Sequence, residues 1–246
     1  AFRTPAVLRT TSGEPLDFGD FGVSLDEAYV FSRALSADAV RALGDLHTAE
    51  PTLSPTTTRA PSMSPSTSQP TATSAPTISP MPSAGPTARD LVAQYPFDGD
   101  AFDVSGGGYD CVVTSGYASD DRFGQAGRAL ENAVVSCPST VATDISGQSN
   151  RSVCVWARFD NNDTARSLFH YGDFCTSSYC ACDGLQLEFG SGQFYLDFGD
   201  EYSNDCIDQT FTLNMRIGVW HHYCLVYDGA DVEVYFDGDR AFRTPA

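Results

Sequence analysis

The chain has 246 residues, of which 32 are acidic and 14 are basic, so its formal net charge at pH 7 is −18. Every basic residue is an arginine, and so acidic a chain lacks the basic face that nucleic-acid binding requires. No apolar stretch approaches the roughly 20 residues that cross a bilayer, so we expect neither a nucleic-acid partner nor a membrane span.

The same six residues, Ala-Phe-Arg-Thr-Pro-Ala, stand at positions 1–6 and again at positions 241–246. Six identical residues do not recur by chance in an ordinary chain, so the repeat predicts one period of a longer tandem polypeptide. The alternative interpretation is a cloning scar or a deliberately permuted chain. We prefer the tandem interpretation because the ends fall inside a folded unit.

The N-terminal part of the chain has the pattern of two strands, at residues 6–11 and 23–32, followed by a short helix. Ser36 is placed to cap this helix, Asp38 falls in its first turn and Gly44 stands just past its predicted end. So few residues cannot bury an apolar face alone, so we expect them to complete a larger sheet.

Residues 51–87 differ in composition from the rest of the chain, with 9 prolines, 17 serines or threonines and a single charge. Such a stretch cannot build a core, and its prolines favour an extended path that would span about 115 Å. We predict a linker that is either O-glycosylated or a bare spacer. The predicted O-glycosylation sites are Thr52, Ser54, Thr56, Thr57, Thr58, Ser62, Ser64, Ser66, Thr67, Ser68, Thr71, Thr73, Ser74, Thr77, Ser79, Ser83 and Thr87.

Short strands with turn signals about every 8 to 12 residues recur through residues 89–246, as in an all-β sandwich. Residues 185–189 and 193–198 alternate around a glycine-rich turn and predict a hairpin. The last predicted strand, residues 232–236, runs into a turn at residues 237–240. We therefore expect its hairpin partner to be missing at the C-terminus and to lie at the other end of the chain.

Eight cysteines all lie in the second half of the chain. In an acidic chain with Asn-x-Ser/Thr sites, this even number favours disulfides and an extracellular setting. Zinc is the rival interpretation, but the close cysteine cluster has no histidine at zinc-site spacing downstream. The sequence leaves the pairing of the cysteines open. Cys154 and Cys224 each lie in an apolar strand-like run and are able to face each other across neighbouring strands. The predicted disulfide cysteines are Cys111, Cys137, Cys154, Cys175, Cys180, Cys182, Cys206 and Cys224.

Several motifs carry a resemblance to a known family. They are Leu91–Asp100, Asp121–Gly124, Ser152–Trp156, Trp220–Gly229 and Val234–Gly238, with Leu25–Glu27 and Arg33–Ser36 near the other end. On these motifs the chain resembles the laminin G-like, concanavalin A-like jelly-roll family. The resemblance implies an all-β jelly-roll sandwich, here with an extended Pro/Ser/Thr-rich linker. It says less about function, because this sandwich hosts lectins, adhesion modules and glycosidases.

The motif that closes the family's sequence stands before the motif that opens it, and joining Arg240 to Ala1 restores the family order. We therefore predict three parts. Residues 1–47 are the C-terminal part of a sandwich, which completes the preceding repeat or closes in trans or as a permutant. Residues 48–88 are the linker, and residues 89–246 are the N-terminal part of a sandwich.

Calcium is the candidate metal. Asp98 and Asp103 share one predicted loop, and the resemblance implies that Asp26 lies near the first strand of the sandwich. Carboxylate and carbonyl oxygens are the ligands that Ca²⁺ prefers, so these three aspartates are the predicted structural calcium ligands. The alternative is that they only cap turns in an acidic protein.

Two Asn-x-Ser/Thr triplets, at Asn162 and Asn150, predict N-linked glycans, and Asn162 is preferred because it lies in a polar turn.

No motif predicts catalysis. His221 and His222 match a strand of the family, so we expect them to pack in the core. The pair of facing carboxylates that a glycosidase needs has no matching motif. The nearest candidates, Asp231, Glu233 and Asp237, are interpreted as the solvent-facing side of a strand. Trp156 and Trp220 match core strands of the family, so they are poor candidates for stacking on a sugar. The candidates for sugar stacking are four tyrosines predicted in loops, Tyr109, Tyr117, Tyr179 and Tyr202.

These features predict a non-enzymatic structural protein, the repeat unit of an extracellular glycosylated fibre or cell-surface filament. Its partners would be neighbouring copies of the same repeat, its cofactors structural Ca²⁺ and covalent glycans. The alternative is a carbohydrate-binding adhesin or lectin module on a glycosylated stalk, with polysaccharide as its partner.

Overall fold

The structure is a computed structural model that describes residues 15–45, 90–145, 149–161, 165–173, 183–199 and 207–246. These residues form thirteen strands and two helices. The strands are β1 (Leu16–Phe18), β2 (Val23–Phe31), β3 (Leu91–Tyr95), β4 (Val112–Ser119), β5 (Ala129–Ser136), β6 (Arg151–Phe159), β7 (Arg166–Asp173), β8 (Asp183–Gly190), β9 (Gln193–Gly199), β10 (Ile207–Phe211), β11 (His221–Tyr227), β12 (Asp231–Phe236) and β13 (Asp239–Pro245), and the helices are α1 (Ala37–Asp45) and α2 (Ser139–Asp144). The predicted all-β class is confirmed. Within the described ranges, neither helix has the length and apolar character of a membrane span.

Eleven strands form one continuous strip in the order β10-β9-β8-β7-β1-β5-β2-β6-β11-β12-β13, with β3 added on β2 and β4 on β5. The strip folds over at β2, which pairs with β5 through two residues but with β6 along its length. The two halves face each other, because the ring of Phe159 in β6 lies 4.8 Å from that of Phe189 in β8. Near one end, Phe198 in β9 lies 5.0 Å from Tyr227 in β11. The strip is therefore a jelly-roll sandwich.

The main core lies between the two halves and takes alternate residues from each strand. In β6, Val153 and Val155 point into this core, whereas Cys154 between them belongs to a second cluster on the outer side. This period of two is imposed by the pleat of a strand. Because both sides of β6 and β11 are covered, these two strands are buried almost throughout.

Helix α1 covers the outer side of the second half. Its Val40 and Leu43 belong to the second cluster together with Tyr29 of β2 and the cysteines of β6 and β11. The predicted cap is present, since the N–H of Ala39 donates to Oγ of Ser36 at 3.3 Å.

The predicted end of the helix is wrong by two residues, because α1 continues to Asp45 and Gly44 lies inside its last turn. A Cβ atom at Gly44 would lie 3.5 Å from Nδ1 of His222 and 3.8 Å from the backbone of Gly238. Gly44 therefore allows close packing of α1 on the sheet and does not terminate the helix.

Strands β1 and β2, which precede the linker, lie in the same sheet as strands β3 to β13, which follow it. Strand β2 is seated between β6 on one side and β3 and β5 on the other. At its end, the N–H of Ser32 donates to the carbonyl oxygen of Asp90 at 3.0 Å. The predicted strand at residues 23–32 is thus present, whereas the one at residues 6–11 lies outside the described residues.

The expectation that the last hairpin lacks its partner at the C-terminus is wrong. Strand β13 pairs with β12 from Asp231 opposite Pro245 to Phe236 opposite Asp239. The predicted turn shrinks to Asp237 and Gly238, both of which have positive φ, as a two-residue hairpin turn requires. The second hexapeptide copy therefore lies in a strand, which its single large apolar residue did not reveal.

The two ends of the strip meet. Phe211 of β10 and Phe242 of β13 stack with their ring centroids 4.5 Å apart and their planes 9° from parallel. Because β10 and β13 are the last strands of the strip, this contact joins its two edges and nearly closes the sandwich.

Candidate functional site

A row of polar side chains crosses five neighbouring strands on the side of the sheet away from the core. The row follows the register of the strands and consists of Asp17 in β1, His170 in β7, Gln186 in β8, Asp197 in β9 and Asp208 in β10. We call these five residues the polar row. At about 4.8 Å per strand, the row is about 19 Å long.

The side chains of the polar row lie on the outer face because successive side chains of a strand point to opposite faces of the sheet. In β8, Leu185 and Leu187 are fully buried in the core on either side of Gln186. In β9, Leu196 and Phe198 flank Asp197 in the same way. A second polar line runs beside the first, in which Ser167, Glu188, Tyr195 and Thr210 stand opposite one another.

Hydrogen bonds fix the middle of this face. Nε2 of His170 lies 3.4 Å from a carboxylate oxygen of Asp17, and its Nδ1 lies 3.2 Å from Oγ of Ser167. The amide of Gln186 donates to the carboxylate of Glu188. The imidazole and the amide are therefore held in place by their neighbours on the sheet.

Three carboxyl groups of this face, those of Asp17, Glu188 and Asp197, have shifted pKa values. Burial, together with the charge of Asp208, raises the pKa of Asp197 to about 6. Burial and the neighbouring Asp197 also raise the pKa of Glu188. Burial raises the pKa of Asp17 as well, but hydrogen bonds with His170 and Ser136 outweigh it and hold the value below the ordinary range. Such a mixture of donors and acceptors suits a ligand rich in hydroxyl groups.

A second polar group lies on the outer side of β2. Nη1 of Arg122 lies 2.6 Å from Asp26, and its Nη2 lies 3.1 Å from Glu27. The guanidinium also lies over the rings of Phe123 and Trp156, at 4.7 and 5.0 Å from their centroids. Burial raises the pKa of Asp26 to about 6, and the charge of Arg122 opposes that shift. The arrangement ties the loop after β4 to β2.

The three predicted calcium ligands have separate partners. Asp26 pairs with Arg122, and Asp98 forms a surface ion pair with Arg128. Asp103 accepts hydrogen bonds from backbone N–H groups, among them those of Gln94, Ser105 and Tyr109. In the parts of the chain that the structure describes, no three metal-ligating side chains are gathered at one point. Calcium binding by these aspartates stays a prediction.

The histidine pair is buried as the sequence predicts. Nδ1 of His221 lies 2.8 Å from the carboxylate of Asp237, and the ring of His222 lies 5.4 Å from that of Trp156. Asp231 and Glu233 lie on β12 and pair with arginines of β13. Asp237 is not on a strand with them but in the hairpin turn.

The aromatic candidates for sugar stacking are dispersed. Tyr117 is 56% exposed but lies in strand β4, so its predicted loop position is wrong. Tyr109 donates its hydroxyl to Asp144. Trp220 precedes β11, half-buried, with the guanidinium of Arg158 5.1 Å from its ring centroid, so it is not in a core strand as predicted. Tyr179 and Tyr202 lie outside the described residues.

The described residues contain two disulfides, Cys111–Cys137 and Cys154–Cys224. The second joins directly opposite residues of β6 and β11, as the sequence suggested. Of the predicted N-glycosylation sites, Asn150 is exposed just before β6. Several predicted sites lie outside the described residues, namely Cys175, Cys180, Cys182, Cys206, Asn162 and all the O-glycosylation sites of the linker.

Sequence analysis missed the polar row. The signal within each strand is visible, since a polar residue stands between two apolar ones at Asp17, Gln186 and Asp197. Which strands are neighbours was not visible, because β1 precedes β7 by about 150 positions.

A family model for the concanavalin A-like lectin/glucanases superfamily, of laminin G type, matches residues 131–246. Comparisons with curated proteins and with solved structures found no match.

Proposed function

Residues 131–246 belong to the concanavalin A-like lectin/glucanases superfamily, and from this premise we propose that the chain is the structural repeat unit of an extracellular, glycosylated fibre or cell-surface filament. A domain of this kind is a carbohydrate-binding or a structural module and is typically non-enzymatic. The two disulfides fit a secreted protein.

The proposal is carried by the place of the repeated hexapeptide in the fold. Residues 241–246 include most of strand β13, so the repeated hexapeptide forms part of the sheet. A cloning scar is not expected to pair through four of its residues with a neighbouring strand or to place Phe242 in a stack with Phe211 at the other edge of the sandwich. An identical copy at residues 1–6 then corresponds to the same strand in a preceding sandwich.

The geometry after β13 also supports a tandem order. The N–H of Ala246 donates to the carbonyl of Ala230, at the end of the sandwich where Arg151 contacts the rings of Tyr227 and Tyr171. Leu16, which begins β1, stands opposite Tyr171. In a tandem polypeptide, the eight residues at positions 7–14 would join Ala246, just after β13, to Pro15, just before β1, and they reach about 26 Å when extended.

This short connection favours completion of each sandwich by the following segment of a tandem chain. The alternative route closes the sandwich through the 44 positions between Asp45 and Asp90. Loop-closure entropy favours the connection of eight residues over that of 44 by about 1.5 kcal/mol. The linker at residues 48–88 then runs between successive sandwiches, where O-glycans on its serines and threonines would keep it extended.

The test is the mass of the protein isolated from its natural source. We expect a species several times larger than the 26.4 kDa of this sequence, and fibres with a regular spacing in electron micrographs. A natural species of 26.4 kDa with a free amine on Ala1 would contradict the proposal.

The polar row supports a second candidate, a carbohydrate-binding module on a glycosylated stalk. We propose that its amide, imidazole and carboxyl groups hydrogen-bond a neutral sugar, since an anionic one would be repelled by the acidic chain. Glycan-array binding should fall with Gln186→Ala and persist with Asp239→Asn, which changes a side chain 82% exposed elsewhere. Equal binding by both variants would exclude the polar row as the sugar-binding site.

A separate test concerns the predicted calcium ligands. Loss of glycan binding or of thermal stability on adding EDTA would indicate that the protein binds calcium.

A further inference from the structure

A group of apolar side chains and arginines lies at the end of the sandwich where strand β6 finishes. It consists of Phe21, Arg166, Arg216, Ile217 and Val219, and we call it the end patch. Its three apolar side chains are all exposed, and that of Phe21 is 65% exposed. Apolar residues scattered singly over a surface need no explanation, but a cluster of them marks an interaction site.

The end of β6 brings the two parts of the end patch together. On one side, the N–H of Asp160 donates to the carbonyl oxygen of Gly22, the residue after the phenylalanine, at 3.0 Å. On the other side, the N–H of Gly218 in the turn at residues 216–219 donates to the carbonyl oxygen of Phe159 at 2.8 Å. Because β2 and β11 are the two neighbours of β6, these parts lie about 10 Å apart.

Hydrogen bonds hold the turn at residues 216–219 in place. Nε2 of His221 accepts the N–H of Arg216 at 3.3 Å, and the imidazole is itself fixed by Asp237 through Nδ1. The N–H of Val219 donates to the carbonyl oxygen of Arg216 at 3.3 Å. The end patch is therefore preorganised, which lowers the entropy lost when a partner binds.

The arginines of the end patch are available to a partner. Within the described residues, neither Arg166 nor Arg216 forms an ion pair. The guanidinium of Arg166 lies 5.9 Å from the ring centroid of Phe21, and its Nε is buried without a hydrogen-bond partner. The carboxylates beside the patch, those of Asp20, Asp160 and Asp237, already have partners. Two such guanidinium groups are exceptional in a chain with 32 acidic residues and only 14 basic ones, and carboxylates are their best partners.

We propose that the end patch is a contact surface for a second copy of this chain. Its two arginines bind carboxylates on the surface of that copy, and its three apolar side chains are covered. Copies with a net charge of −18 repel one another, so they approach where one of them presents unpaired cations. Because the end patch and an acidic surface are different surfaces, the contact is heterologous and adds copies in one direction.

The predicted linker begins at the same end of the sandwich as the end patch. Helix α1 ends at Asp45, and its Gly44 packs beside His222 at the start of β11. In the proposed tandem order, the linker after this helix leads to the next copy. The tether raises the effective concentration of that copy at the end patch. This step alone rests on the fibre proposal.

Sedimentation equilibrium of the full 246-residue chain tests the contact. We expect its average mass to rise with concentration at low salt. Since charge drives the contact, the association constant should fall about tenfold between about 0.05 and about 0.5 M sodium chloride. Phe21→Ser and Arg216→Glu should each weaken association about tenfold.

Two matched variants serve as controls. Phe102→Ser removes a ring that is 58% exposed in the loop between β3 and β4. Arg128→Glu makes the same change in net charge as Arg216→Glu, at an exposed arginine outside the end patch. Both controls should associate like the unchanged protein, and all four variants should keep its melting temperature, because the replaced side chains are exposed.

A chain that stays monomeric at every concentration overturns the proposal, as does equal association of Phe21→Ser and Phe102→Ser. The other occupant of the end patch is the predicted glycan on Asn162. Association that appears only after enzymatic removal of N-glycans assigns the end patch to that glycan and overturns the proposal too. The fibre proposal is tested separately by the mass of the natural protein, so it survives the failure of this contact.

Discussion

The carboxylate of Asp26 lies 2.6 Å from the guanidinium of Arg122, and less than a tenth of either side chain is exposed. These residues are 96 positions apart and lie on β2 and on the loop after β4. Glu27 adds a second carboxylate, 3.1 Å from the same guanidinium.

Replacing Arg122 by alanine should strongly destabilise the sandwich. The change leaves two carboxylates buried without their cation, which costs about 3–5 kcal/mol. Urea unfolding followed by tryptophan fluorescence measures the loss. The matched control is Arg128→Ala, which breaks the exposed ion pair with Asp98 and should cost about 0–1 kcal/mol. Similar losses in the two variants would show that Arg122 is not needed as a counter-charge.

Stability should fall as the pH rises from about 4 to about 6. The pKa of Asp197 is about 6 in the folded chain and near 3.8 in the unfolded one, so the folded state binds the proton more tightly. Its stabilising effect is fully present below the unfolded pKa and is lost as the pH passes the folded pKa. Asp197→Asn should reduce this pH dependence in melting temperatures, whereas Asp239→Asn should leave it unchanged. An unaltered profile for Asp197→Asn would assign the effect elsewhere.

The two disulfides should differ in their contribution. Cys154–Cys224 closes a sequence separation of 70 residues, and Cys111–Cys137 one of 26. The chain-entropy model assigns them about 4.4 and about 3.5 kcal/mol. The double alanine variant of Cys154 and Cys224 should therefore unfold at lower urea than that of the other pair. The reverse order would mean that the longer loop is already restricted in the unfolded chain.

Two glycines with the same backbone conformation provide a test of close packing. Gly19 and Gly124 both have φ of +76°, but a Cβ atom at Gly19 would lie 2.3 Å from the carbonyl oxygen of Ala133, and at Gly124 it would meet nothing within 4 Å. Gly124→Ala should cost only the backbone term of about 1–2 kcal/mol. Gly19→Ala should cost about 1–3 kcal/mol more, because β1 must move from β5. Equal melting temperatures would contradict this packing.

Local features of the fold were predictable because their contacts lie within a few residues. The β8–β9 hairpin follows from alternation around Gly190–Gly192, and the start of α1 follows from Ser36. The strand over the second hexapeptide was missed, because one phenylalanine among polar residues gives no period of two. Its stability comes instead from the stack of Phe242 on Phe211, which no local pattern reveals.

The amino-acid sequence by itself determined the class of the fold, the β8–β9 hairpin and the start of α1, and it showed that Cys154 and Cys224 are able to face each other. Each of these depends on the pleat of a strand or on turn residues, and both act over a few positions. The tertiary structure alone decided that Asp17, His170 and Asp197 share one row and that Arg122 meets Asp26. Such meetings depend on which strands become neighbours, and that choice is made by the burial of the whole core rather than by any single segment.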